Sequence, residues 1–193
     1  MCVIIHKPIG VKIDENILRL CWHANPDGAG FMYTTDGEIQ IQKGYMLFED
    51  FLEAYHYIDE ERYDMVIHMR YATSGKVCPE QCHPFIVHNR LAFAHYGHIV
   101  FDFHIEDESK SDTVVFLDEI LRKLPKNFLD YDGVKKLLIN YINDSTLLFM
   151  DNNSNITIMG GERFSIIRDG CWFSNSSWLF MEDIDVSIEP NVQ

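Results

Sequence analysis

Cys2 is the residue whose position in this chain suggests chemistry most directly. It follows the initiator Met1, and cysteine is small enough that such a methionine is normally removed. Removal would leave one residue that carries both a thiol and a free α-amine. An α-amine titrates near pH ~8, so at neutral pH it can accept the thiol proton and later return it to a leaving amine. We therefore expect Cys2 to supply nucleophile and base together.

Two further residues have the charges needed to hold an α-amino acid. Arg70 lies where a strand runs into a polar loop closed by Gly75, and its planar guanidinium can hold a carboxylate through two hydrogen bonds. Asp112 follows Ser111 where a helix begins, and its carboxylate could bind an ammonium group. With the thiol, these residues predict a pocket for an α-amino acid with a cleavable side chain. On residue type alone, Arg70 could instead be a structural ion-pair partner and Asp112 part of a helix cap.

Several short motifs follow one another in an order typical of one enzyme family. They are Cys2, the turn Asn25-Pro26-Asp27-Gly28-Ala29-Gly30, the segment Arg70-Tyr71-Ala72-Thr73-Ser74-Gly75, the pair His83-Pro84, the element His95-Tyr96-Gly97 and the pair Ser111-Asp112. In this order they resemble class II glutamine amidotransferase domains, which are N-terminal-nucleophile hydrolases. The resemblance covers residues 2 to about 112, and the strand-rich C-terminal part is compatible with the family's second sheet.

The resemblance implies that the Cys2 thiolate attacks the side-chain amide of glutamine while its own α-amine shuttles the proton. A thioester forms, ammonia leaves, and water releases glutamate. The backbone N–H of Gly97 would donate to the oxyanion. The family usually has His-Asn-Gly at this point, with the asparagine amide as a second donor, whereas this chain has Tyr96. Because loss of one oxyanion donor costs about 100- to 1,000-fold in rate, the activity depends on whether the Tyr96 phenol can act as the second hydrogen-bond donor to the oxyanion.

The resemblance also implies the residues that bind the substrate. Arg70 would hold the glutamine carboxylate, and Asp112 would hold its α-amine. Tyr71 and Thr73 would contribute from the loop that begins at Arg70. His83 matches a family histidine near the pocket, for which we expect a structural role.

Two other functions stay open at this point. The same N-terminal thiol could open another amide, such as a γ-glutamyl or acyl-amide bond, although Arg70 and Asp112 together favour an amino-acid head group. The chain could also be a catalytically weak relative that binds a ligand or protein, which Tyr96 would favour. In the leading hypothesis an amidohydrolase domain fills the chain, so a separate synthetase partner would accept the ammonia. We expect no cofactor and no metal, because Cys78 and Cys82 lack the second cysteine pair of a zinc site.

The elements that must position these residues indicate an α+β fold. Residues 3–6 are predicted to form a buried strand with Cys2 at its end, and strands are also predicted at 90–95 and 98–103, on either side of Gly97. Strands at both ends of the chain with helices between them favour a layered α+β arrangement. The resemblance narrows this to a four-layer αββα sandwich, in which two mainly antiparallel sheets lie between helices.

Composition excludes several classes of function. The net charge is −14, with 30 acidic against 16 basic residues, and such a field repels a nucleic-acid backbone. No apolar run approaches the ~20 residues of a membrane helix, and no signal-peptide region is visible, so we expect no membrane partner. Five cysteines, an odd number, favour the reducing cytoplasm. We expect one domain over residues 1–193, with a tail from about residue 182.

Overall fold

The described part of the chain contains ten strands and four helices, together with short 3-10 turns. The computed structural model describes residues 2–58, 60–103, 105 and 107–181. The strands, numbered in chain order, are β1 Val3–Lys7, β2 Ala29–Thr35, β3 Glu38–Tyr45, β4 Met65–Met69, β5 Phe85–His88, β6 Leu91–Tyr96, β7 Thr146–Asp151, β8 Ile156–Gly160, β9 Ile166–Arg168 and β10 Cys171–Phe173. The helices are α1 Glu15–Ala24, α2 Phe48–Tyr57, α3 Asp112–Glu119 and α4 Asp132–Ile142.

The strands form two sheets in which every described pair is antiparallel. The six-stranded sheet has the order β3-β2-β4-β1-β10-β9, and the four-stranded sheet has the order β5-β6-β7-β8. β1 therefore lies inside the larger sheet, between β4 and β10. Its register pairs Val3 with Met69. In an antiparallel pair, the residue before Val3 then lies beside the residue after Met69, which brings Cys2 next to Arg70.

Apolar side chains on both faces of each sheet create three separate packed layers. Successive strand residues point to opposite faces, so a strand with apolar residues throughout needs cover on both sides. α1 and α2 cover the outer face of the larger sheet, and α3 and α4 cover the outer face of the smaller one. The layer between the sheets contains Ile4, Met32 and Val66 from the larger sheet and Ala92, Ala94, Tyr96, Leu148 and Met150 from the smaller sheet.

This arrangement confirms the predicted four-layer αββα sandwich, but the strand predicted at 98–103 is wrong. That segment follows β6 as irregular chain. Two of its backbone donors are bound by side chains instead of a neighbouring strand: Ile99 N–H donates to Asp112 Oδ2 at 2.7 Å, and His98 N–H donates to Ser145 Oγ at 3.1 Å. The single domain stays a prediction, and its predicted tail from about residue 182 lies outside the described residues. No described helix is long and apolar enough to cross a membrane.

Candidate active site

Cys2 directly precedes β1, with its thiol against the start of the loop that follows β4. Its Sγ is 3.4 Å from the backbone nitrogen of Tyr71, which donates to it. From the far end of the described chain, Asn175 Nδ2 donates to the Cys2 carbonyl at 2.9 Å and holds its backbone in place. Burial raises the pKa of the Cys2 thiol, and the Tyr71 N–H partly opposes that rise. The thiol is therefore protonated at neutral pH and needs a base before it can attack.

Arg70 is a buried cation in the same pocket. It is 3% exposed, and its guanidinium donates to the carbonyl oxygens of Ser74 at 3.0 Å and Lys76 at 2.9 Å. Among the described residues it forms no ion pair with a carboxylate. Buried charges are normally paired, because their desolvation is costly. These contacts brace the loop and still leave guanidinium N–H donors for a bound anion.

The turn that precedes β2 fixes the loop after Arg70. Asp27 N–H donates to the Arg70 carbonyl at 2.9 Å, and Ala72 N–H donates to Asp27 Oδ2 at 2.8 Å. Farther along the loop, Gly75 has a φ of +68°, and a Cβ atom there would come within 2.6 Å of the Ser111 nitrogen. This close approach brings the loop against the start of α3.

Asp112 is the first residue of α3 and lies in the pocket wall with its carboxylate fully engaged. Oδ1 accepts from Ser74 Oγ at 2.9 Å and from Thr113 N–H at 2.9 Å. Oδ2 accepts from Ile99 N–H at 2.7 Å and is 3.2 Å from His98 Nδ1. The helix cap itself is Ser111, so capping does not account for the Asp112 side chain.

Gly97 and Tyr96 are neighbours in the chain, but only Gly97 lines the pocket. Gly97 lines the pocket and has a φ of +123°, and Ser145 packs against it. Tyr96 is 3% exposed and packs in the layer between the sheets, with Ile4 among its neighbours. Burial raises the pKa of the Tyr96 phenol, and the negative charge of a nearby Cys2 thiolate would raise it further. The role of Tyr96 as an oxyanion donor stays a prediction.

The pocket brings together seven of the eight residues singled out from the sequence. Tyr96 is the residue that does not line it. In this conformation the cavity has about 20 Å³ of volume, room for about one water molecule. The sequence-predicted residues in its wall are Cys2, Arg70, Tyr71, Thr73, His83, Gly97 and Asp112.

Sequence reasoning missed several residues that hold the pocket together. Ser74 and Asp27 belong to motifs that are visible in the sequence, but the spacing of these motifs does not reveal which groups the two side chains bind. Asn175 lies 173 positions from the cysteine that it holds, so only the sheet pairing reveals it. The sequence predicts that His98 belongs to a strand, and this prediction does not reveal its contact with Asp112.

Three buried histidines form a connected cluster, in which His83 and His95 line the pocket and His68 lies beside them. His83 Nδ1 is 2.7 Å from His68 Nε2, and His68 Nε2 is 3.1 Å from the His95 carbonyl oxygen. His95 Nδ1 is 2.8 Å from Thr113 Oγ1. Burial lowers the pKa of His68 to about 3, that of His95 to about 4, and that of His83 well below its ordinary value. His68 contacts the backbone of the strand that leads to Gly97, and the structural role expected for His83 stays a prediction.

Replacing Gly97 by alanine is expected to damage both stability and any reaction in this pocket. The new Cβ would come within 2.8 Å of the Ser145 Cα atom, at a φ that side chains rarely adopt. We expect the free energy of unfolding to fall by about 2 kcal/mol. Gly133→Ala is the matched control, because a Cβ there meets nothing within 4 Å and the position is helical. Chemical denaturation should show a neutral or slightly stabilising effect for that control, and equal losses in both variants would contradict the steric explanation.

No group of three or more His, Cys, Asp or Glu side chains within the described ranges is placed to hold a metal ion. The cysteines at positions 2, 21, 78, 82 and 171 are all free thiols.

Comparison with known proteins identifies relatives of this arrangement. No protein-family model matches the chain. Amidophosphoribosyltransferase of Methanocaldococcus jannaschii is 28% identical over 149 residues, which cover 70% of this chain and 31% of that protein. The solved structure of glutamine phosphoribosylpyrophosphate amidotransferase from B. subtilis, complexed with ADP and GMP, matches 90% of this chain and 41% of its own at 20% identity and a TM-score of 0.51. A structure described as the allosteric regulatory enzyme of purine biosynthesis matches 90% of this chain and 41% of its own, at 19% identity and a TM-score of 0.53.

The chain is homologous to amidophosphoribosyltransferase, and the resemblance to class II glutamine amidotransferase domains is confirmed. It spans about a third of the length of the curated relative that it matches. The solved structures share its antiparallel two-sheet sandwich.

Proposed function

We propose that this chain hydrolyses the side-chain amide of glutamine, with Cys2 as the nucleophile. The observation that carries the proposal is the buried Arg70, which lies beside Cys2 in the pocket wall without a carboxylate partner among the described residues. A bound carboxylate would neutralise it through two hydrogen bonds. Asp112 in the same wall supplies the opposite charge for an α-amine. The thiol, the cation and the anion of this pocket match, in that order, the side-chain amide, the α-carboxylate and the α-amine of glutamine.

The proposed reaction needs only groups of Cys2 for its proton transfers. The α-amine accepts the thiol proton as the sulfur bonds to the amide carbon, and the carbonyl electrons move to oxygen. When the C–N bond breaks, the α-ammonium returns the proton to the departing nitrogen, so ammonia leaves and a thioester remains. Water then attacks the thioester with the α-amine as base, which releases glutamate and restores the thiol. Because burial raises the pKa of the Cys2 thiol, the sulfur carries a proton that a base must remove before it can attack.

The α-amine is free only if Met1 has been removed. With a residue attached, the nitrogen of Cys2 belongs to a peptide bond and cannot act as a base. The proposal therefore includes cleavage before Cys2 as the step that creates the active site.

The charge that develops on the amide oxygen requires hydrogen-bond donors. We assign this role to the backbone N–H of Gly97, which lies in the wall that also contains Cys2. Tyr96 is assigned as the second donor, because Cys2 packs against the layer between the sheets that contains Tyr96. Tyr71 and Thr73 complete the loop around the substrate.

The ammonia is proposed to pass to an acceptor outside the amidohydrolase machinery described above. The name of the homologous amidophosphoribosyltransferase describes a transfer reaction, and that protein is about three times as long as the region that matches this chain. A synthetase-type partner, as another domain or another protein, would use the ammonia. We place the reaction in the cytoplasm, where the reducing environment keeps the Cys2 thiol intact.

The test is ammonia release from L-glutamine, measured on protein whose intact mass shows the loss of Met1. We expect L-glutamine to be hydrolysed, D-glutamine and L-asparagine to be poor substrates, and the mass of the protein to be unchanged after turnover. Hydrolysis of simple acyl amides with no preference for an amino-acid head group would instead favour an amidase for another substrate. Failure of trimmed protein to release ammonia from any amide would refute the proposed activity and favour a binding role.

A further inference from the structure

Asp112 offers no open position to the α-amine that the proposed function assigns to it. A carboxylate has about four lone-pair positions for hydrogen bonds. On Asp112 they are taken by Ser74 Oγ and Thr113 N–H at Oδ1, and by Ile99 N–H and His98 Nδ1 at Oδ2. An ammonium group must therefore displace one of these four partners before it can bind.

His98 is the partner that can leave. Thr113 and Ile99 contribute backbone N–H groups, which cannot move without the helix start or the chain that leads to it. The Ser74 hydroxyl is fixed from both sides, because it donates to Asp112 Oδ1 and accepts from the Asp112 N–H at 3.0 Å. The His98 side chain is 56% exposed, in contrast to the 8% of its carboxylate partner, so its ring can rotate into solvent.

The His98 ring can move without disturbing the neighbouring Gly97. Ser145 Oγ accepts the His98 N–H at 3.1 Å and donates to the His98 carbonyl oxygen at 3.1 Å. These two contacts hold the backbone on both sides of the His98 Cα atom. Rotation of the side chain therefore leaves the proposed oxyanion donor in place.

We infer that His98 is a specificity-determining residue, whose imidazole occupies the position on Asp112 that a substrate α-amine must take. The inference rests on the proposed function, because it concerns the amine end of the same pocket. A ring N–H and an ammonium N–H can both donate to a carboxylate, so one can replace the other. A ligand with an α-amine loses the His98–Asp112 contact when it binds, whereas a ligand without the amine keeps it. His98 thereby weakens the preference of the pocket for α-amino acids over their des-amino analogues.

The experiment compares calorimetric binding of L-glutamate and of glutarate, which lacks the α-amine, to the wild-type protein and to His98→Ala. We expect L-glutamate to bind about 3- to 10-fold more tightly to His98→Ala, with glutarate changed by less than about twofold. His6→Ala is the matched control, because His6 Nε2 also pairs with a carboxylate, at 3.3 Å from Asp64 Oδ1, outside the pocket. That control should leave both affinities unchanged.

Unchanged or weaker L-glutamate binding in His98→Ala would overturn the inference, and so would equal tightening of both ligands. Absence of binding by either ligand to both proteins would also overturn it. Glutamine hydrolysis is measured separately, so the two failures are distinguishable. Selective tightening without any hydrolysis would support the His98 exchange and refute the proposed reaction, whereas hydrolysis without selective tightening would do the reverse.

Discussion

Cys2→Ala is expected to lose glutamine hydrolysis by about 10⁴-fold or more, because the variant has neither a thiol to attack the amide nor a thioester to hydrolyse. The same variant should resist labelling by a diazo-ketone analogue of glutamine, which forms one covalent adduct with an active-site thiol. Ammonia release and intact mass measure the two effects on one sample. Cys78→Ala is the matched control, because Cys78 is a half-buried free thiol that does not line the pocket. It should keep both the turnover and the single adduct.

A variant that keeps one residue in front of Cys2 separates the roles of the thiol and the α-amine. Its thiol and pocket are unchanged, but the nitrogen of Cys2 is now an amide and has lost its basicity. We expect turnover to fall nearly as far as in Cys2→Ala, while L-glutamate still binds. Full activity in this variant would show that another group removes the thiol proton. Equal labelling of Cys2→Ala and the wild-type protein would assign the adduct to a different residue and remove Cys2 from the mechanism.

The parts of the site that could be predicted from the sequence are those encoded locally. Arg70 and Asp112 each lie at the end of an element whose periodicity is visible, and each carries the charge its proposed role needs. Their placement in one pocket depends on Gly75, whose missing side chain lets the loop approach the start of α3. That glycine was visible as a loop signal, but the contact it permits was not.

The parts that could not be predicted depend on pairing between distant segments. Asn175 reaches Cys2 only because β10 pairs with β1 in the antiparallel register that places Phe173 opposite Ile5. Hydrophobic periodicity identifies a strand but contains no information about its partner. The error at 98–103 has a related cause: its run of apolar residues fits a strand, while side chains from other segments bind its backbone. The local sequence pattern contains no information about these side chains, which come from Asp112 and Ser145.

Tyr96 illustrates a further limit of prediction from sequence, which concerns the direction of a side chain. The motif predicts its position beside Gly97, and the alternation along β6 decides where its side chain goes. Odd-numbered residues of β6, such as Phe93, face the helices, whereas Tyr96 faces the layer between the sheets. A sequence motif defines neighbours along the chain, but the direction of a side chain follows from the sheet to which its strand belongs.

Acidification from pH 6.5 to pH 5 is expected to destabilise the protein strongly through His68, His83 and His95. In the unfolded chain a histidine has a pKa near ~6.5. In the folded protein, burial lowers the pKa of His68 to about 3 and that of His95 to about 4, and it also lowers the pKa of His83. Below pH ~6.5 the unfolded chain therefore binds protons that the folded chain excludes, so stability falls as the pH falls. Each ring lowers the free energy of unfolding by at most about 1.4 kcal/mol per pH unit, so the three together lower it by at most about 4 kcal/mol per pH unit.

The measurement is the free energy of unfolding in urea at closely spaced pH values between 8 and 5, a window above the ordinary pKa of the carboxylates. The slope should be small above pH 7 and steep below pH 6. His83→Gln removes one of the three titrating rings and should reduce the acid slope by about a third, even if it lowers stability at every pH. His23→Gln, at an exposed position on α1, should leave the slope unchanged. A flat profile down to pH 5, or an unaltered slope in His83→Gln, would mean that the buried rings accept protons while the protein stays folded.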